Sequence, residues 1–138
     1  MPKVLGVDDQ LDVREMIALA LEEHGVDSVL AADGRAALLE LSKATVAGEP
    51  FDVMLLDIVM PGVDGWRVLA AVKANPLWEH LPIIVITGKA TGVDDITRMT
   101  EYNGLYAEKG TNFIDFVVTM VDRLTQEGEN AGQSPVSR

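Results

Sequence analysis

Three acidic residues of this sequence lie at the ends of short apolar runs, where buried strands are expected to finish. Asp8 and Asp9 come directly after "KVLGV", and Asp57 is the last residue of "VMLLD". Two carboxylates about 4 Å apart repel each other by roughly 4 kcal/mol at an effective dielectric constant near 20. If the three groups lie together, they therefore need a cation or raised pKa values. Mg²⁺ is such a cation, because it binds one or two carboxylates together with water and phosphate oxygens.

Two further groups fit the same chemistry. Thr87 ends the apolar run "IIVIT", and Lys109 follows "LYAE". In a phosphoryl transfer, Asp57 is the natural nucleophile, and its carboxylate would become an acyl phosphate. Mg²⁺, the Thr87 hydroxyl and the Lys109 ammonium would hold the equatorial oxygens, whose charge catalysis must stabilise. The residue types therefore suit a magnesium-dependent phosphoryl transfer to Asp57.

The elements that would position these groups alternate between strands and helices. Between the strand-like runs, apolar residues recur at helical spacing in five stretches, of which the fourth, with Val93, Ile96 and Met99, is the weakest. This alternation predicts βαβ units and a parallel sheet covered on both faces. Ligands bind beyond the carboxyl ends of the strands in such a sheet, so the acidic, hydroxyl and ammonium groups should meet at one edge. The predicted strands span residues 3–7, 27–31, 53–57, 83–87 and 105–108.

Composition narrows the class of protein. The chain has 138 residues, enough for one domain, and a formal net charge of −11 without a Lys or Arg cluster, which argues against direct nucleic-acid binding. It has no cysteine, and its N-terminus has no apolar segment before the first acidic residues, so we expect a soluble cytoplasmic protein. We expect a folded domain over residues 1–124 and a polar, disordered tail or linker over 125–138, where Gly, Ser and Pro are frequent.

Four motifs give the sequence a family resemblance that covers residues 3 to about 124. It resembles the receiver domains of two-component response regulators, and its length is similar to that of single-domain chemotaxis regulators. The resemblance implies a flavodoxin-like (βα)5 fold, with a doubly wound parallel sheet in strand order 2-1-3-4-5. It also implies that Asp57 is phosphorylated by a sensor histidine kinase or a histidine phosphotransfer protein. The motifs are "VDD" (7–9), "LLDIVMPGVDG" (55–65), "IVITG" (84–88) and "LYAEKG" (105–110).

The resemblance further implies the roles of individual site residues. Mg²⁺, with Mn²⁺ tolerated, would bind Asp9, Asp57 and the backbone carbonyl of Val59, with Asp8 acting mostly through water. The backbone of Val59 and of Gly88 would contact the phosphoryl group. Such a domain catalyses only its own phosphorylation and dephosphorylation, and is not a turnover enzyme.

The resemblance also implies a conformational switch. Thr87 would move toward the phosphoryl group, and the aromatic ring of Tyr106 would turn inward. This change would remodel the face formed by the fourth helix, the fifth strand and the fifth helix for a downstream protein.

Three features depart from the family pattern. Most receivers have Lys-Pro, usually with a cis peptide bond, where this chain has Lys109-Gly110. A cis bond before a residue other than proline costs about 2.5–4 kcal/mol, so we expect a trans bond, with Gly110 absorbing the altered backbone. Val59 cannot orient an attacking water, and Lys89 is long enough to lie over the phosphoryl oxygens, so we expect slow self-dephosphorylation.

Three other functions are compatible with parts of the pattern. A phosphatase of the haloacid dehalogenase type needs a second Asp two residues after the nucleophile, where this chain has Val59. A flavin-binding domain needs a phosphate loop rich in glycine and hydroxyl groups after the first strand, where this chain has "DDQLD". A degenerate receiver that binds proteins without phosphorylation ranks second, because Val59 and Lys109-Gly110 leave it open.

Overall fold

The computed structural model describes residues 2–58, 65–87, 105–110 and 112–133. Within them the strands are β1 (Lys3–Val7), β2 (Asp27–Ala31), β3 (Val53–Asp57), β4 (Ile83–Thr87) and β5 (Leu105–Glu108). The helices are α1 (Leu11–Glu23), α2 (Gly34–Ala47), α3 (Gly65–Ala74) and α4 (Phe113–Gln133). All five predicted strands are confirmed. The helix expected around Val93, Ile96 and Met99 lies outside the described residues, so α4 is the fifth helix of the prediction.

The five strands form one parallel sheet in the order β2-β1-β3-β4-β5, as the resemblance implied. The register is continuous across the three strands that carry the site. Val7 of β1 pairs with Leu56 of β3, Asp57 pairs with Ile86 of β4, and Thr87 pairs with Glu108 of β5. Residues that follow these pairs therefore emerge at the same edge of the sheet.

Both faces of the sheet are buried, which explains why the central strands are apolar without alternation. On one face, Leu56 and Val85 pack against α2 and α3, and on the other, Leu55 and Ile86 pack against α1 and α4. All five residues of β3 are buried, including Asp57 at its end. A carboxylate in this position is desolvated by both layers and depends on the groups around it for compensation.

Local signals in the sequence account for the ends of the first two helices. Asp33 caps α2, because its side chain accepts a hydrogen bond from the Ala36 N–H at 2.8 Å. Gly48 ends α2 in the left-handed conformation with φ of 72°, where glycine has no steric penalty. Gly25 follows α1 with φ of 71°. These turns return the chain to the amino ends of β2 and β3.

The last helix, α4, continues to Gln133 and so extends into the segment from residue 125 that was expected to be a disordered tail or linker; that expectation stays a prediction. Helix propagation adds one hydrogen bond for each residue fixed, whereas nucleation is the costly step. The segment that follows the packed part of α4 contains good helix formers such as Gln126 and Ala131. A polar composition therefore did not exclude helix here.

No helix among the described residues is long and apolar enough to span a bilayer.

Candidate functional site

The three acidic residues singled out in the sequence lie together at the carboxyl edge of the sheet. One carboxylate oxygen from each of Asp8, Asp9 and Asp57 lies within 4.8 Å of the other two. Asp8 is fully buried and Asp57 is 3% exposed, whereas Asp9 is exposed. The cluster therefore consists of two buried, desolvated carboxylates, Asp8 and Asp57, and a third, Asp9, that faces solvent. Such a group of like charges is unstable without a cation.

Lys109 supplies a positive charge from β5, the last strand of the sheet. Its Nζ lies 2.8 Å from Asp8 Oδ2 and 3.4 Å from Asp57 Oδ2, and its side chain is 17% exposed. Burial by itself lowers the pKa of the Lys109 ammonium, but the close contact with Asp8 and the charges of Asp57 and Asp8 outweigh it. The pKa is raised as a result. Lys109 is therefore a permanent cation of the site at neutral pH.

Asp8 is held in place by the backbone and by the first turn of α1. Its N–H donates to the Ala31 carbonyl at 3.1 Å, which continues the pairing of β1 with β2. Its Oδ1 accepts the Gln10 N–H at 2.8 Å, and its carbonyl oxygen accepts Arg14 Nη1 at 2.7 Å. Because these bonds fix the residue from three sides, the carboxylate has one orientation, with Oδ2 toward Lys109.

Asp57 is positioned by the close approach of α3 to the end of β3. The Gly65 N–H donates to the Ile58 carbonyl at 3.1 Å, and the Ile58 N–H donates to the Ile86 carbonyl at 3.0 Å. A Cβ at position 65 would lie 2.5 Å from Ile58 Cα and would also meet the Asp57 carbonyl oxygen. The start of α3 therefore packs directly on the backbone of the candidate nucleophile, and only glycine fits there.

The donor set fits a divalent metal ion. Among the described residues, Lys109 is an ion-pair partner of Asp8 and Asp57, and Arg14 donates to the Asp8 backbone carbonyl. Asp8 Oδ2 is buried, and within the described residues no donor meets it with hydrogen-bond geometry, although the Lys109 ammonium is near. Oxygen ligands of this kind are those that hard divalent cations prefer. Asp8, Asp9 and Asp57 can therefore hold a metal ion.

The residues predicted to act as a switch lie beside this cluster to the extent that they are described. Thr87 is the last residue of β4 and pairs with Glu108, while its side chain falls outside the described part of the chain. Tyr106 is half-buried, packs against the core on the α2 and α3 side, and lines an open cleft with Phe113 and Phe116. Val59, Gly88 and Lys89 lie outside the described residues, so their predicted roles stay predictions.

Two expectations about Lys109-Gly110 have different outcomes. Among the described residues no peptide bond is cis, so the expected trans bond is confirmed. That Gly110 absorbs an altered backbone stays a prediction; its φ is not in the left-handed region. A Cβ added there would meet nothing within 4 Å. A side chain at this position would therefore meet no steric obstacle from the described residues.

Three residues of the site were not singled out from the sequence. Gln10 and Arg14 contact Lys109 and Asp8 through side chains that the spacing of strands and helices does not orient. Gly65 is the last residue of the motif "LLDIVMPGVDG" and has no side chain that could suggest a role in the site. A glycine at the first position of a helix is the one signal that could have pointed to a close backbone approach.

Comparison with known proteins gives a consistent set of relatives. A family model described as "Response regulator receiver domain" matches residues 4–106. The transcriptional regulatory protein TcrA of Mycobacterium tuberculosis is 30% identical over 128 residues, which cover 91% of this chain and 47% of that protein. A probable cyclic di-GMP phosphodiesterase of Vibrio cholerae is 36% identical over 92 residues, which cover 67% of this chain and 20% of that protein. The chain thus spans at most about half the length of these curated relatives.

Solved structures show the same fold along most of the chain. The chemotaxis protein CheY4 of Vibrio cholerae has a TM-score of 0.78 and 29% identity, with 90% of this chain and 98% of that chain covered. The Mn²⁺-bound form of response regulator Rcp1 has a TM-score of 0.72 and 27% identity, with 88% of this chain and 89% of that chain covered.

Proposed function

The chain belongs to the response regulator receiver domain family, and on that premise we propose that it takes a phosphoryl group from a phosphohistidine onto Asp57. Receiver domains of this family are signalling modules of two-component systems and not turnover enzymes. The donor would be a sensor histidine kinase or a histidine phosphotransfer protein. The absence of cysteine is consistent with a cytoplasmic location for this chain.

The observation that carries this proposal is the surroundings of Asp57. Its carboxylate is 3% exposed, lies in a cluster with two other carboxylates, and has Lys109 Nζ 3.4 Å from Oδ2. If Asp57 had only a structural role, one ammonium group would be enough to compensate its buried charge, and two further carboxylates beside it would serve no purpose. A nucleophile needs both an oxygen to attack phosphorus and a cation to hold the oxygens of the group transferred.

The proposed reaction is a single displacement at phosphorus. A carboxylate oxygen of Asp57 attacks, the P–O bond forms, and the P–N bond to the histidine ring breaks. The ring nitrogen keeps the electron pair and becomes neutral imidazole. Lys109 lies close enough to Asp57 to hold a phosphoryl oxygen during the transfer, and its raised pKa keeps it charged.

Mg²⁺ is the metal ion that this chemistry favours, with Mn²⁺ as a substitute. Asp8, Asp9 and Asp57 would hold the ion, with the Val59 carbonyl as a further ligand. When bound, it would neutralise charge on the transferring oxygens that one lysine cannot balance. The Mn²⁺-bound form of the related Rcp1 supports this assignment.

The response to phosphorylation would pass through Thr87 and Tyr106 to the face that contains β5 and α4. The cleft on this face is lined by Tyr106, Phe113 and Phe116, and Phe116 is 45% exposed. It adjoins Lys109, so a change in the partners of Lys109 is transmitted to its lining. A downstream protein would bind here. The alternative of a receiver that acts without phosphorylation is not favoured, because the acidic cluster and Lys109 are assembled in one site.

The test is intact mass after incubation with acetyl phosphate, with and without Mg²⁺. We expect a Mg²⁺-dependent gain of one phosphoryl group that is abolished in Asp57→Ala. Asp12→Asn is the matched control, because Asp12 is an exposed carboxylate of α1 outside the cluster. A folded protein that gains no phosphoryl group from acetyl phosphate or from any histidine donor would contradict the proposal, and so would an equal gain in Asp57→Ala.

A further inference from the structure

Lys109 has three oxygen atoms of the described residues around its ammonium: Gln10 Oε1 and Asp57 Oδ2 accept hydrogen bonds, and Asp8 Oδ2 is an ion-pair partner. Nζ lies 2.8 Å from Asp8 Oδ2, 3.0 Å from Gln10 Oε1 and 3.4 Å from Asp57 Oδ2. A phosphoryl oxygen that binds Lys109 therefore competes with the oxygen atoms that already lie around its ammonium. Which oxygen is displaced from Lys109 determines the free-energy cost of placing a phosphoryl oxygen there.

Gln10 is the acceptor that is released at least cost. Asp8 is fully buried and charged, and separating it from the ammonium would leave an uncompensated charge in the interior. Asp57 would itself carry the phosphoryl group, so it stays beside Lys109. Gln10 is neutral and exposed, and water can satisfy its amide oxygen after it leaves.

The backbone around Gln10 directs its side chain to Lys109. The Gln10 N–H donates to Asp8 Oδ1 at 2.8 Å, which fixes the residue at the start of α1. Gln10 occupies the N-cap position, yet its side chain makes no capping hydrogen bond. The amide oxygen is instead used on Lys109, 99 positions later in the chain. The Gln10 side chain therefore contacts Lys109 and does not cap α1.

We propose that Gln10 is a positioning residue that occupies, on Lys109, the place of a phosphoryl oxygen and is displaced when Asp57 is phosphorylated. This inference rests on the proposed function. The amide oxygen and the phosphoryl oxygen compete for the same N–H group, so Gln10 lowers the affinity of the site for a phosphoryl group. No covalent bond to Gln10 forms or breaks.

The test uses beryllofluoride, a phosphoryl analogue that binds aspartate, at saturating Mg²⁺, with affinity measured by calorimetry on the full chain. Gln10→Met keeps the length of the side chain and removes the acceptor. We expect it to bind beryllofluoride roughly threefold to tenfold more tightly than the wild type, the range that one hydrogen bond supplies. Gln126→Met is the matched control, since Gln126 is exposed on α4 and roughly 20 Å along the helix from its start.

A double-mutant cycle with Lys109→Met separates positioning from a general structural effect. Because Gln10 acts through Lys109, Gln10→Met should tighten binding in the wild-type background and leave it unchanged when Lys109 is Met. An equal gain in both backgrounds would overturn the inference. So would unchanged or weaker binding by Gln10→Met alone, whatever the second background shows. If the wild type itself fails to bind beryllofluoride, the proposed function fails, and the inference falls with it.

Discussion

At the scale of single residues, Asp9 differs from the other two carboxylates of the cluster because it is exposed. Asp8 and Asp57 each have Lys109 as an ion-pair partner, whereas no ion pair within the described part of the chain involves Asp9. It therefore adds repulsion to the metal-free cluster and would add a ligand if a metal ion is bound as proposed. The same side chain is unfavourable or favourable according to whether a divalent ion is present.

Asp9→Asn should accordingly change stability in opposite directions with and without metal. In EDTA we expect a gain in unfolding free energy of a few tenths to about 1 kcal/mol, because an exposed charge interaction is screened by solvent. In millimolar Mg²⁺ the wild type should become the more stable protein, since binding to the folded state adds RT ln(1 + [Mg²⁺]/Kd). Urea denaturation under both conditions measures this. A Mg²⁺ effect of equal size in the two proteins would exclude Asp9 as a ligand.

Lys109 gives the site a pH dependence at the alkaline end. Its folded pKa is raised above 10.5, the value expected for the unfolded chain. The ion pairs therefore stabilise the fold fully below pH 10.5, and this contribution is lost as pH rises through the folded pKa.

Unfolding free energy measured from pH 9 to 11.5 should thus fall more steeply for the wild type than for Lys109→Met. Lys43→Met is the control, because Lys43 pairs with Glu40 on the exposed surface of α2 and should leave the slope unchanged. Parallel curves for the wild type and Lys109→Met would show that Lys109 has no raised pKa.

At the scale of secondary-structure elements, the contact between α3 and β3 determines where Asp57 lies. Gly65 begins α3 against the backbone of Asp57 and Ile58, which leaves no room for a Cβ. The helix is therefore placed by a backbone contact, and side-chain packing by Val68, Leu69 and Val72 follows from it. A shift of α3 at this contact would move Asp57 relative to Lys109.

Gly65→Ala should be destabilising although alanine is the better helix former. The propensity gain is about 1 kcal/mol at most. Forcing a Cβ against backbone atoms costs roughly 1–3 kcal/mol, because the backbone of a paired strand cannot move aside as a flexible side chain can. We expect a net loss of stability together with slower phosphorylation from acetyl phosphate, measured by urea denaturation and by intact mass.

Gly110→Ala is the matched control for this prediction. Its backbone is outside the left-handed region and a Cβ would meet nothing, so we expect neutral behaviour or a gain of about 0.4–1 kcal/mol from the unfolded state. If both variants lost stability equally, the close approach at Gly65 would not be the cause.

At the scale of the whole molecule, the packed domain ends before α4 does. The last fully buried residue among those described is Val121, and Leu124 is the last apolar residue that packs against the core. Directly after Leu124, Thr125 Oγ1 donates to the carbonyls of Val121 and Asp122 within the helix itself. We therefore propose that residues 1–124 form the functional unit.

Removing residues 127–138 should change the unfolding free energy by less than about 1 kcal/mol, the usual range for changes outside the core. Phosphorylation of Asp57 by acetyl phosphate should keep its rate. Both are measured on the shortened chain against the full one. A large loss of stability or of phosphorylation would show that the end of α4 contributes to the domain.

The sequence by itself determined where the strands lie along the chain and which residues follow their carboxyl ends. Apolar runs of four or five residues separated by helical spacing specify a doubly covered parallel sheet, and the residues after such runs must share an edge. Asp8, Asp9, Asp57 and Lys109 were therefore predictable as one site, because their positions follow from the periodicity of the backbone. The helical continuation of α4 past Leu124 was not predictable in this way, since a polar segment has no hydrophobic period to indicate it.

Only the tertiary structure decided how each group of the site is held. Gln10 and Arg14 contact residues whose proximity depends on the entry of α1 and on side-chain rotamers, which spacing along the chain does not encode. The role of Gly65 arises from a backbone contact between two elements, and the open space at Gly110 from the absence of one. Periodicity places a residue at an edge of the sheet, whereas contacts at the ångström scale decide which charge meets which partner.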